Sequence, residues 1–379
     1  MAREQTAVVI DDSPLMRRII TDCLAGIDGL KVVAEAATGR DGLAKIREHS
    51  PDIVSLDVEL GDINGLDVLA EVMRDSPRKV IVVSSHTEAG AETSLKALSL
   101  GAVDCVAKGK LVAGPDGFEF MLRQSFGAAL LAQTSRLGRG SAIVPNLDPI
   151  RGAQGTTPLD RLRNSGNRMT NSPGTGEVRL QMPDLVLIAS STGGPMALQA
   201  FLAELTRPPT MPVVLVQHMP KAFTARLASR LDQLSPATVV EAADRSPLEN
   251  GTILIARGEY HLDVFGDHVR FSDAAPIGGL KPRADVSFSS AARVFGRNIV
   301  AFVLTGMGDD GLAGCRDVVD AGGQVLAQDG DSCVVDGMPR KIRDADLAVD
   351  CGPPAYLGHL MDRLSYSVRP SRSRAKTRT

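Results

Sequence analysis

Tryptophan is absent from this chain of 379 residues, and aromatic residues make up only 3% of it. Grooves that stack successive bases of a single strand need such rings, so that class of function is disfavoured. Charge of one sign is also lacking. The 42 Lys and Arg stand against 45 Asp and Glu, for a net charge of −3, and no polyanion-binding surface is expected. Cysteine is sparse: Cys23, Cys105, Cys315, Cys333 and Cys351 are scattered, with no CxxC pair. That spacing argues against a disulfide frame or a zinc site and for reduced thiols in a cytoplasmic protein. No apolar run approaches the ~18 residues of a membrane span, so no membrane insertion is expected. The opening stretch, MAREQTAVVIDDSP, is no signal peptide. What is present is an ordinary globular composition, 43% hydrophobic, on a length that suggests two domains.

The most informative stretch is Leu185-Val186-Leu187-Ile188-Ala189-Ser190-Ser191-Thr192-Gly193-Gly194-Pro195. Its apolar run reads as a buried parallel-type strand. Gly193 and Gly194 permit a tight turn, and Pro195 suits the first turn of a helix. The serines therefore fall on a sharp strand-to-helix turn beside free helix N–H groups. On this stretch alone a helix cap, an anion-binding turn and a nucleophile all remain open.

Before it, strands alternate with helices five times. Strands are expected at Thr6 to Ile10, Lys31 to Ala36, Ile53 to Leu56, Val80 to Val83 and Val103 to Ala107, which predicts a doubly wound parallel sheet. Ligands of such sheets bind at the carboxyl ends of the strands. Asp11, Asp12, Asp57, Ser84 and Lys108 fall at those ends. Three clustered carboxylates call for a hard cation with oxygen ligands, of which Mg²⁺ is the natural choice. A carboxylate beside Mg²⁺ can attack a phosphoryl donor and become an aspartyl phosphate. Ser84 and Lys108 would then contact the phosphoryl oxygens.

These residues resemble the response-regulator receiver family over residues 1 to about 125. The resemblance implies a flavodoxin-like, five-stranded parallel sheet and Asp57 as the residue phosphorylated by a histidine kinase. Two positions depart from the pattern. Gly109 follows Lys108 where the family has proline, and Cys105 stands where an aromatic switch residue is usual. The first change loses a rigid turn; the second bears on the coupling of phosphorylation to a surface rearrangement and does not touch the phosphorylation chemistry.

Residues 126–180 turn rich in Gly, Ser, Thr, Asn and Pro, with arginines exceeding acids. Such a composition cannot bury a core and reads as a flexible linker. Residues 368–379 read as a basic, disordered tail.

The second half, 181–367, carries further apolar strands. Val213 to Val216 runs into Gln217-His218-Met219-Pro220, and Ile299 to Leu304 runs into Thr305-Gly306-Met307-Gly308-Asp309-Asp310-Gly311. A strand is also expected at Gln324 to Ala327, and Val334-Val335 reads as added β structure. Three strands thus end in a hydroxyl, an imidazole and a carboxylate. If they converge on one sheet edge, they supply what acyl transfer needs. The order Ser, His, Asp differs from that of the α/β-hydrolases, and Ala189 replaces the first glycine of their elbow. No Gly-Lys-Ser/Thr follows the glycines, so a P-loop fits worse.

Ser191-Thr192-Gly193-Gly194, Gln217-His218-Met219-Pro220 and Thr305-Gly306-Met307-Gly308-Asp309-Asp310-Gly311, with Ser332-Cys333-Val334-Val335-Asp336-Gly337-Met338-Pro339, resemble the chemotaxis methylesterase family, CheB. The resemblance implies a doubly wound α/β domain with Ser191 as nucleophile, His218 as general base and Asp310 as its orienting partner. Thr192 and the Met307 N–H are implied near the oxyanion. Ser190 and Asp309 create a local ambiguity, since the family has Ala and Asn there. The implied activity is hydrolysis of glutamate methyl esters, and deamidation of glutamines, on methyl-accepting chemoreceptors. The esterase would need no cofactor, the receiver would need Mg²⁺, and a chemotaxis histidine kinase would be the phosphodonor. A monomer is expected, and no C-terminal receptor-tethering motif is evident. A regulator with a non-catalytic second domain and a hydrolase of another ester or amide are the competing readings.

Overall fold

The computed structural model describes residues 3–85, 88–108, 117–132 and 179–366. Most of the expected linker (133–178), the basic tail (368–379) and Gly109 lie outside the described residues.

The first unit runs β1 (Gln5–Ile10), α1 (Pro14–Ala25), β2 (Leu30–Ala36), α2 (Gly39–His49), β3 (Ile53–Asp57), α3 (Gly65–Asp75), β4 (Lys79–Ser85), α4 (Glu88–Ser99), β5 (Asp104–Lys108) and α5 (Phe118–Leu131). Short polar residues start the first three helices. Ser13, Thr38 and Asn64 each accept a backbone N–H of the first turn, which satisfies donors a helix start leaves free. The strands pair in the order β2-β1-β3-β4-β5, all in parallel. Each strand falls where the apolar pattern puts it, give or take a residue or two. One boundary moves: α5 continues to Leu131, past the expected limit at 125, because Phe126, Ala128 and Ala129 are buried against this unit and its neighbour.

The second unit runs β6 (Leu185–Ser190), α6 (Gly194–Leu202), β7 (Val213–Gln217), α7 (Lys221–Asp232), β8 (Thr238–Glu241), β9 (Thr252–Ile255), β10 (His261–Phe265), β11 (His268–Ser272), α8 (Ala284–Phe295), β12 (Ile299–Val303), α9 (Leu312–Asp320), β13 (Gln324–Gln328), α10 (Met338–Asp344), β14 (Ala348–Gly352) and α11 (Pro354–Leu364). Its main sheet has the order β14-β13-β12-β6-β7-β9-β8, again all parallel, while β10 and β11 form a separate hairpin. Every residue of β6, β7 and β12 is buried, and a fully buried Val, Leu or Ile stabilises by roughly 1.5–3 kcal/mol. From β6 the chain first builds one half of the sheet and then returns to build the other from β12. The reversal lies between β6 and β12, which is where a doubly wound sheet opens a crevice.

Val334 and Val335 are not a strand. Thr305 Oγ1 accepts the Val335 N–H at 3.0 Å, which holds this segment as a loop against the sheet edge. The two units share one apolar cluster that includes Leu95 and Leu98 of α4 together with Phe201 of α6 and Leu227 of α7. Helix α4 packs directly on α6 and α7. Among the described residues no helix is long and apolar enough to cross a membrane.

Candidate functional site

Strand β6 lies between β12 and β7, so the three polar strand ends are immediate neighbours. After β6 the chain turns sharply at Gly193, whose φ is +78°. A Cβ there would meet Val334 Cβ at 2.5 Å, so only glycine fits both the dihedral and the space. Ser190 ends the strand fully buried, and its hydroxyl donates to Gln217 Oε1 at 2.7 Å. Ser191 sits one residue further, half-buried. Its N–H donates to Thr305 O at 3.0 Å and its carbonyl accepts from Gly194 N at 2.7 Å. The main chain of Ser191 is thus fixed from both sides, and its side chain is the more accessible of the two.

His218 follows β7, with its N–H donating to Ser190 O at 3.1 Å. Its Nε2 makes a 2.6 Å hydrogen bond with Asp310 Oδ2. Its Nδ1 is buried and has no hydrogen-bond partner among the described residues. No bond therefore joins Ser191 to His218 in this form.

Asp310 is fully buried at the end of the loop after β12. The first N–H groups of α8, from Ala284 and Asp285, donate to it at 2.7 and 3.0 Å. Gly311 N donates at 2.9 Å, and Arg283 Nε lies 3.2 Å away. A helix N-terminus is a ready anion site. Burial alone pushes this carboxyl up, but the His218 hydrogen bond and charge and the backbone donors outweigh it and bring the pKa down to about 2. Asp309 differs sharply: it is 67% exposed and only approaches Arg283 at 3.7 Å.

Thr192 and Met307 flank the turn. The Met307 N–H carries no hydrogen bond among the described residues and is free to donate. The side chains of both residues meet the first unit. Thr192 Oγ1 donates to Asp104 Oδ2 at 3.4 Å, and Met307 packs with Val334 against Ala128 of α5, Ala132 just past its end, and Val335. Asp104 also accepts from Ser125 Oγ at 2.8 Å. Its burial raises its pKa, against the pull of these donors.

In the first unit one ligand atom from each of Asp11, Asp12 and Asp57 lies within 4.8 Å of the others. Lys108 Nζ is 2.6 Å from Asp57 Oδ2 and 2.9 Å from Asp11 Oδ2. Asp11 Oδ2 is buried, with this ion pair and no hydrogen bond among the described residues. Three clustered carboxylates, two of them buried and held by one ammonium, are the oxygen donor set a hard divalent cation takes. Burial, opposed by Lys108, raises the Asp57 pKa to about 6. Ser84 is buried, but its hydroxyl is not turned to this cluster. It lies 2.7 Å from Ser94 Oγ on α4, and Ser94 in turn donates to Gly90 O, which leaves Ser84 as the donor.

Asp104, Gln217 and Arg283 carry contacts that sequence reasoning missed. Gln217 stands inside a motif whose chemical signal is its histidine. Arg283 precedes the helix that caps Asp310. Asp104 offers no local signal, because its partner is 88 positions away.

Family models match two stretches: CheB methylesterase over residues 186–361 and response regulator receiver domain over residues 7–111. A protein-glutamate methylesterase/protein-glutamine glutaminase of Symbiobacterium thermophilum is 37% identical over 354 residues, covering 91% of this chain and 93% of that protein. One from Desulfitobacterium hafniense is 36% identical over 373 residues, covering 92% and 94%. Among solved structures, the Thermotoga maritima CheB methylesterase catalytic domain is 35% identical with a TM-score of 0.47, covering 48% of this chain and 98% of that one.

Proposed function

This chain belongs to the protein-glutamate methylesterase/protein-glutamine glutaminase family, and from that premise we propose that Ser191, His218 and Asp310 hydrolyse glutamate methyl esters on chemoreceptors under the control of Asp57 phosphorylation. The enzyme is a carboxylic-ester hydrolase with glutaminase activity and a receiver domain. The observation that carries the residue assignment is the 2.6 Å His218–Asp310 pair beside a serine turn. Of its two serines, Ser190 is tied to Gln217.

With Nε2–H donated to Asp310, His218 Nδ1 is the lone pair left to accept a proton. The Ser191 hydroxyl attacks the ester carbonyl carbon as its proton passes to Nδ1. The tetrahedral intermediate collapses, methanol leaves with that proton, and an acyl-enzyme remains. Water then attacks the acyl carbon, gives its proton to Nδ1, and is followed by release of glutamate and return of the proton to Ser191. A glutamine substrate differs only in that ammonia leaves. The Met307 N–H and Thr192 face the developing oxyanion, where one donor is worth about 2.7–4 kcal/mol.

Control comes from the first unit. Asp104 engages Thr192, and α5 packs on Met307, so the first unit crowds the turn and hinders substrate while the units are packed. Asp11, Asp12 and Asp57 would hold Mg²⁺, which when bound neutralises charge on the incoming phosphoryl group. Asp57 accepts the phosphoryl group from a chemotaxis histidine kinase, and Lys108 pairs with its oxygens. The phosphoryl group replaces a carboxylate charge of −1 with roughly −1.5 to −2 and brings three acceptor oxygens, which keep Lys108 and draw Ser84 toward position 57. Ser84 then gives up Ser94, which loosens α4 from α6 and α7.

The test is release of methanol from a methyl-labelled receptor. Wild type releases it, while Ser191→Ala and His218→Ala do not. Unchanged release by both variants would overturn the assignment. A fragment of residues 181–379 is expected to be faster than the unphosphorylated full chain; an equal rate would sink the covering role of the receiver.

A further inference from the structure

Ser190 and Gln217 are the last residues of β6 and β7, and they face each other in register. Both are buried, at 0% and 2% exposure. The Gln217 amide is fully used. Its Oε1 accepts the Ser190 hydroxyl at 2.7 Å. Its Nε2 donates to two carbonyls, Ser191 O at 2.9 Å and His218 O at 3.0 Å. These are the carbonyls of the two residues read above as nucleophile and base. A flipped amide would set its oxygen against both carbonyls and its nitrogen against a hydroxyl, so the network fixes one orientation. Space is reserved for it too: a Cβ at Gly194 would collide with Gln217 Oε1.

We infer that Gln217 is a positioning residue for hydrolysis, clamping the main chain of Ser191 to that of His218, with the Ser190 hydroxyl setting its amide. This rests on the reading of Ser191 and His218 as nucleophile and base. Two strand ends joined only by sheet hydrogen bonds can slide at their tips. The buried amide ties the tips themselves, and small displacements of reacting groups lower rates by large factors. Gln217 touches neither substrate nor the side chains that react. Its effect therefore falls on kcat and leaves KM in place. Ser190 has a second meaning in this light. The hydroxyl that made the sequence ambiguous is the partner of the clamp.

The experiment measures kcat, KM and the pH profile of methanol release from methyl-labelled receptor by the phosphorylated full chain. Gln217→Leu puts an apolar side chain of comparable bulk there and removes both donors and the acceptor of the Ser190 hydroxyl; kcat is expected to fall about 10–100-fold with KM within twofold. Ser190→Ala leaves the amide and removes its setting partner, and about a threefold fall in kcat is expected. Gln217→Glu gives a distinct signature. Its carboxyl is buried against two carbonyl oxygens, so it stays protonated at low pH and can donate once. Activity is expected to drop as pH rises through the new group's titration, a limb absent from wild type. A purely space-filling role would produce no such limb. An inactive Ser191→Ala beside a Gln217→Leu with kcat within twofold of wild type would overturn the clamp and leave the nucleophile standing. An active Ser191→Ala would overturn the reading beneath it. If Gln217→Leu does not fold, Gln217→Glu decides: a wild-type pH profile overturns the clamp, and the new limb supports it.

Discussion

Thr192, the residue after the candidate nucleophile, donates a 3.4 Å hydrogen bond to Asp104, which belongs to the other sheet. Asp104 opens β5, and Lys108, 2.6 Å from Asp57, closes it. One strand of five residues therefore contacts the Asp57 cluster at one end and the Ser191–Thr192 turn at the other.

Removing that contact should free the esterase without phosphorylation. Asp104→Ala is expected to raise methanol release by the unphosphorylated full chain about fivefold, the equivalent of one weak hydrogen bond of about 1 kcal/mol. The same substitution should not change the phosphorylated rate. Steady-state assays of both forms check this, and an unchanged basal rate would count against the contact.

Asp310→Asn should cripple chemistry more than binding. The new amide would donate to His218 Nε2 and force the imidazole proton onto Nδ1, the nitrogen needed as acceptor. A loss of kcat on the order of 10³–10⁴ is expected, with KM little changed.

Acid should expose the same carboxylate in stability. The folded pKa of Asp310 is lowered to about 2, so its contribution is present above its unfolded value near 3.9 and is lost as pH falls toward 2. The amount is about 2 kcal/mol. Denaturant melts between pH 5 and pH 2 should lose stability more steeply in wild type than in Asp310→Asn.

Metal removal should separate the two halves of the molecule. A chelator is expected to block phosphorylation of Asp57 by a small acyl phosphate and to leave the esterase of fragment 181–379 unchanged. Calorimetric titration should show Mg²⁺ binding to the full chain and at least tenfold weaker binding to Asp12→Ala, which takes away one of three carboxylates.

Much of this architecture is legible in sequence because the buried parallel strands are unbroken apolar runs ended by polar clusters. Leu185 to Ile188, Val213 to Val216 and Ile299 to Val303 are such runs, and each is buried throughout. The end of the chain was less readable. In β14, Ala-Val-Asp-Cys-Gly, exposed and half-buried residues alternate until Gly352, so no apolar run marks it. The expected β structure at Val334-Val335 failed for the opposite reason: its apolar side chains pack under α5 and against Gly193, in a loop. The serine pair could not be separated by local pattern, because Gln217, which engages Ser190, lies 27 positions away. Strand-end residues were found by periodicity; their partners belong to tertiary packing alone.

On the proposed control by the first unit, the apolar cluster shared by α4, α6 and α7 would also set how quiet the resting enzyme can be. Under the proposed control, packed and open forms would exchange, and basal turnover would equal the open fraction times the intrinsic rate. A docking free energy of about 2.7 kcal/mol leaves ~1% of molecules open, and each further 1.4 kcal/mol divides that leak by ten. Tighter packing silences the background but demands more from each phosphoryl group. The residues at this seam therefore tune signal against noise, and substitutions such as Leu98→Ala should trade one for the other without touching a reacting atom.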